Sequence, residues 1–121
     1  MNKKNDLKNR LIDYSVLIIK FVNSLDNSKA STVLGGQLLR SGTSPSLNYG
    51  EAQDAESPRD FIHKMKIGLK ELRESEINLN IISRAGLSND NALVAYGIAE
   101  SNELISIFVT SIKTARKNAN L

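Results

Sequence analysis

Five basic side chains recur at helical spacing in the middle of this chain: Arg59, His63, Lys66, Lys70 and Arg73. At about 100° per residue they fall on one side of a helix, opposite Phe61, Met65, Gly68 and Leu72, in a stripe about 21 Å long. Such a row can follow a phosphate backbone, where each contact adds a counterion-release contribution to binding. Glu71, Glu74 and Glu76 lie off the middle of the stripe, so its centre is uncompensated. A charged face that merely meets water, helped by local pairs such as Lys70 with Glu74, accounts for the same residues and stands as the alternative. The basic head (Lys3, Lys4, Lys8, Arg10) and tail (Lys113, Arg116, Lys117) carry less weight, because chain ends are commonly basic.

A second charged residue stands out by isolation. Between Lys29 and Glu51 the only charged side chain is Arg40. A surface helix carries charge over much of its circumference, so this stretch is expected to be covered on most sides, by the rest of the domain or by another subunit. A buried arginine needs a carboxylate, and Glu51, Glu71 and Glu74 are the available ones. Arg40, Glu51, Glu71 and Glu74 therefore read as a structural or subunit-interface ion pair, with a ligand-binding arginine as the lesser alternative.

No catalytic constellation is visible. The absence of cysteine removes thiol catalysis, disulfides and cysteine-type zinc sites, and is compatible with a reducing cytosol. His63 is the sole histidine and no Glu-x-x-His motif occurs, so the di-metal arrangement of helical bundles is not encoded. Ser41 and Ser44 have no lysine or histidine at catalytic spacing, and Gly35-Gly36 lacks the phosphate-loop pattern. Neither a cofactor nor a metal nor a small-molecule substrate is indicated. Asn48 and Tyr49 beside Gly50 suit a polar groove and satisfied core polar groups equally well.

The elements that must position these residues are helical throughout. With 121 residues, 40% hydrophobic but 5% aromatic, the core must be built of interdigitated aliphatic side chains. The first helix, about 6–25, carries Leu7, Leu11, Tyr14, Ile18, Phe21 and Leu25 as a coiled-coil seam. The second, about 29–55, includes Val33, Leu34, Leu38 and Leu47 but is rich in glycine, and Ser44-Pro45 should bend or break it. The third, about 57–85, starts on Ser57, Pro58 and Asp60 and stops at Gly86; its inner stripe is Phe61, Met65, Gly68, Leu72, Ser75, Leu79 and Ile82. The fourth, about 91–117, is capped by Asn89-Asp90 and has Leu93, Gly97, Leu104, Ile107, Phe108, Ser111 and Ala115 as its seam. Short breaks predict an all-α, antiparallel up-down-up-down four-helix bundle forming one domain over residues 1–121. The apolar run Tyr14 to Val22 contains Lys20 and is far shorter than the roughly 20 residues a bilayer demands. No membrane association is expected, and the polar start of the chain predicts a cytoplasmic protein. The formal net charge of +3 permits an acidic partner without requiring one.

The block Gln37-Leu38-Leu39-Arg40-Ser41, then Ser44, Asn48 and Glu51, then Ser57, Asp60 and Phe61, then Lys66 to Glu71 with Glu74, resembles the bacterial four-helix-bundle proteins encoded within intervening sequences of large-subunit ribosomal RNA genes. The resemblance spans about Asp6 to Lys117. It implies an antiparallel bundle, related to the accessory proteins of diversity-generating retroelements, that forms a ring-shaped homopentamer with positively charged surfaces. Nucleic-acid binding is the usual inference for such proteins, and no enzymatic reaction is attached to them. Three positions depart from the pattern: Gly68 stands where alanine is usual, Asn78 where an aromatic, often tryptophan, is usual, and Pro45 interrupts the second helix. The expectation is a noncatalytic, oligomeric bundle binding RNA or DNA through basic surface; the alternative is an adaptor that joins proteins without nucleic acid.

Overall fold

A computed structural model describes residues 3–121, with α1 (Lys3–Ser24), α2 (Lys29–Gln53), α3 (Pro58–Arg84) and α4 (Asn91–Asn118) and no strand among the described residues. Each helix packs on the next in sequence, α2 on α3 most extensively, and α4 closes back on α1 along the thinnest of the four seams. The predicted up-down-up-down bundle is the observed one. Its caps are those the sequence encodes. Ser57 accepts from the Asp60 N–H at 3.1 Å with Pro58 in the first helical position, and Asp90 accepts from the Leu93 N–H at 3.0 Å. Gly86, at φ +69°, supplies the left-handed residue that ends α3. Ser28 caps α2, and its hydroxyl and N–H together hold the Asp26 carboxyl in the preceding turn below its ordinary range.

α2 does not break at the proline and continues as helix to Gln53. In the preceding turn Thr43 donates to the Leu39 carbonyl and Ser44 to the Arg40 carbonyl, each at 2.8 Å, back-bonds that accommodate a bend. Two of the glycines have a packing reason. A methyl at Gly42 would lie 2.7 Å from Ile18 Cγ2, and one at Gly68 would lie 2.7 Å from Phe108 Cε2. The Phe108 ring thus occupies the space that the more usual alanine would claim at position 68.

The core is Leu11, Tyr14, Ile18 and Phe21 of α1 with Leu38, Met65, Leu72, Leu79, Ile82, Leu104 and Phe108. On α4 the buried stripe runs through Val94, Ser101 and Ile112, while Leu93, Ile107, Ser111 and Ala115 of the expected seam are half-buried. The rotation follows from a polar layer in mid-bundle. One hydroxyl comes from each helix: Tyr14 pairs with Ser101 at 2.7 Å, and Ser41 with Ser75 at 2.8 Å. Ser101 and Ser75 also donate to the Gly97 and Glu71 carbonyls, so every buried hydroxyl of the layer has a partner.

The uncharged stretch of α2 is not covered by its own bundle. Leu47 is 70% exposed, and Val33 and Leu39 also face solvent, beside Ile12, Val16 and Ile19 on the neighbouring face of α1. α4 is long and apolar enough, by length and composition, to cross a membrane. In the bundle, however, its apolar stripe is spent on the core and its Glu100 and Glu103 bind Arg10.

Candidate nucleic-acid interface

All five residues of the basic stripe lie exposed along the outer side of α3, because Ile62, Met65, Gly68 and Leu72 take the inner side. None of the five forms an ion pair among the described residues, and the reason is visible in where the nearby carboxylates go. Glu74, the expected partner of Lys70, turns toward α2 and meets Arg40 Nη2 at 3.2 Å. Glu71 meets Arg40 Nη1 at 3.0 Å. Glu51 meets Lys64 Nζ at 3.7 Å. The carboxylates within one turn of Lys66 and Lys70 are therefore committed elsewhere, and the stripe carries uncompensated positive charge. Beyond Arg73 the same side of the helix presents exposed Ile77 and Ile81 before ending at Arg84.

The ion-pair cluster differs from expectation in two respects. Arg40 is not buried: its side chain is 61% exposed, and the buried member is Glu71, 8% exposed as a residue. Hydrogen bonding to Glu74 and the field of Glu71 raise the Arg40 guanidinium further above its ordinary range. Glu51 belongs to a separate pair with Lys64 and takes no part in the cluster. The helix packing explains this, since antiparallel α2 and α3 bring residue 40 opposite 71 and 74, and residue 51 opposite 64.

Beside the cluster, Gln37, Arg40, Ser41, Glu74, Asn78 and Ile81 line a shallow groove of about 540 Å³. Asn78 Oδ1 is buried there without a hydrogen-bond partner.

Sequence reasoning gave Arg10 little weight, yet its guanidinium binds Glu100 through two hydrogen bonds and also Glu103. The signal available was the Glu-x-x-Glu spacing at 100 and 103 on α4, one helical turn apart. It also passed over Tyr96, an aromatic side chain 60% exposed on α4. Tyr14, Phe21 and Phe108 are buried and Phe61 partly so, as expected.

These elements define a class: an all-α four-helix bundle whose polar chemistry resides in inter-helix ion pairs, a buried hydroxyl layer and one exposed basic row. The chain belongs to the 23S rRNA-intervening sequence protein family, whose model matches residues 3–108. It is also similar to the crystal structure of a protein with unknown function from the S23 ribosomal protein family of Bacteroides thetaiotaomicron. The two superpose with a TM-score of 0.84 at 32% sequence identity, over 93% of this chain and 99% of that one. No curated protein matches the chain.

Proposed function

We propose that this protein is a noncatalytic, cytoplasmic bundle that self-associates, to a pentamer as its family resemblance implies, and binds RNA or DNA through Arg59, His63, Lys66, Lys70 and Arg73. The observation that carries the reading is the unpaired basic row on α3, where Glu71 and Glu74, the carboxylates next to Lys70, are held by Arg40. Exposed Leu39 and Leu47 on α2, where Arg40 is the one charge between Lys29 and Glu51, together with Ile12, Val16 and Ile19 of α1, support self-association: burial of apolar surface is the general driving force for it. Repeating a weak patch around an oligomer multiplies its avidity.

The test is binding to structured RNA, duplex DNA and heparin across a salt series, with oligomeric state followed by light scattering. The expected result is preference for a nucleic acid over heparin, with a steep salt slope in the unaltered protein and binding lost in the Lys66→Glu/Lys70→Glu variant. The adaptor reading draws on the same exposed apolar face. Absence of nucleic-acid binding near 50 mM salt, a condition favouring polyanion contacts, would replace the first reading with the adaptor one.

A further inference from the structure

At the end of the bundle where α2 turns into α3, an open cleft of about 1080 Å³ lies between the first turns of α1 and the last turns of α4. Its walls are Leu7, Tyr49, Ala52, Phe61, Ile107 and Ala115, and Glu56 is the one formally charged residue among its described lining. The opening has a cause in the sequence. The α1–α4 seam is thin, and here α4 offers small side chains, Ser111 and Ala115, where larger ones would close the gap.

A second, independent feature sits in the same wall. Tyr49 is 5% exposed, with its ring tilted against Phe108 at a centroid distance of 6.4 Å. Among the described residues its hydroxyl has no hydrogen-bond partner, in contrast to Tyr14, which is paired with Ser101. Tyr49 lines the cleft, and its hydroxyl, not sealed within the core, is left to donate to or accept from whatever occupies the cleft.

We propose that this cleft is a binding site for an uncharged, mainly apolar small molecule with one hydroxyl or carbonyl oxygen, which pairs with the Tyr49 hydroxyl. The volume matches the upper range of small-molecule sites, about 300–1,000 Å³. Among the described residues no cationic side chain lines the cleft to hold an anion, Glu56 opposes one, and a cation finds no second carboxylate. The site is separate from the basic stripe, which lies across α3 from Phe61, and its occupancy does not depend on nucleic-acid binding.

Nile red, a neutral carbonyl-bearing dye whose emission strengthens and shifts to shorter wavelength on leaving water, is the probe. The expected result is saturable binding of one dye per chain, displaced by decanol and not by decanoate. Ser111→Leu, which narrows the cleft, should weaken binding about tenfold by excluding the ligand from its pocket. Tyr49→Phe should weaken it about fivefold, the effect of one neutral hydrogen bond. Thermal melts identify any variant that fails to fold, and Asn23→Ala, exposed in the last turn of α1 and away from the cleft, should bind as the unaltered protein does. Unsaturable binding, indifference to both cleft variants, or loss in Asn23→Ala alone would overturn the proposal.

Discussion

Arg10 on α1 and Glu100 on α4 meet through two parallel hydrogen bonds, Nε to Oε2 at 2.8 Å and Nη2 to Oε1 at 2.7 Å. The fork geometry is the strong form of an arginine–carboxylate contact, and it spans the helix pair with the least backbone packing. Hydrogen bonding to Glu100, and then to Glu103, holds the guanidinium above its ordinary range against the opposing effect of burial. Its partial exposure keeps the energetic value modest, since solvent screens such pairs.

Arg10→Gln should therefore destabilise the bundle by about 1 kcal/mol, most of it from leaving largely buried Glu100 without its partner. Chemical denaturation at low salt measures it. Equal stability of the variant and the unaltered protein would show that the seam is held by packing alone.

The Tyr14 phenol is pushed above its ordinary range by burial, which outweighs the opposing pull of the Ser101 and Ser75 hydroxyls. A group whose proton is held more tightly in the folded state gives stability that is complete below the unfolded-state value, about pH 10, and is lost as pH rises through the folded-state value. Alkaline unfolding should thus begin above about pH 10, with phenolate absorbance and loss of helical signal rising together. Tyr14→Phe should be less stable at neutral pH yet lose less on going alkaline, and an unchanged alkaline slope would assign the effect to other groups.

Asn78 offers the opposite sign. Its unpaired Oδ1 and the hollow beside Gln37 and Ile81 leave room for a larger apolar side chain. Asn78→Trp should raise stability by about 1 kcal/mol by removing a buried unmet acceptor and filling space. The new indole, in a chain with no other tryptophan, should emit at the short wavelengths of a buried ring. A lower melting temperature or solvent-exposed emission would show that the hollow cannot admit the ring.

Much of this fold was legible because local signals agreed with the global one. Ser57-Pro58 and Asp90 cap the helices they were expected to cap, and the seams of α1 and α3 are buried as the heptads imply. Periodicity failed where a polar residue is buried by choice of partner. Ser101 is in the core because Tyr14 reaches it across the bundle, whereas the expected seam of α4 passed over it and took in half-buried Leu93, Ile107 and Ser111. Pro45 misled for a related reason, since tertiary packing, with Leu38, Ser41, Gly42 and Pro45 itself buried, sustains a helix that intrinsic propensity disfavours. The basic stripe was legible by spacing, but its lack of partners was not, because that depends on α2 drawing Glu71 and Glu74 away.

Arg40→Glu should be far more damaging than Glu71→Gln. The first sets a third carboxylate against buried Glu71 and Glu74 and places a charge of the wrong sign on the uncharged face of α2. The second replaces the buried charge with a neutral group that still accepts from the guanidinium. The Arg40→Glu protein is expected to dissociate or unfold, and one that stays assembled with an unchanged melting temperature would sink the assignment of this cluster to assembly or structure.

Assembly and polyanion binding should be separable, because they are assigned to different sides of the molecule. Leu39→Glu with Leu47→Glu alters the exposed apolar face of α2 and leaves α3 untouched. Loss of oligomers is expected by light scattering, with residual nucleic-acid binding at the affinity of one patch and a shallower salt slope, since fewer phosphates are engaged at once. Lys66→Glu with Lys70→Glu should do the reverse, leaving the oligomer intact and binding abolished. If the α2 variant kept full oligomers, self-association would have to reside elsewhere, and exposed Ile77, Ile81 and Tyr96 would be the next surface to alter. If it instead lost oligomers while binding as tightly as before, avidity would be excluded and the single α3 stripe would have to account for the whole affinity.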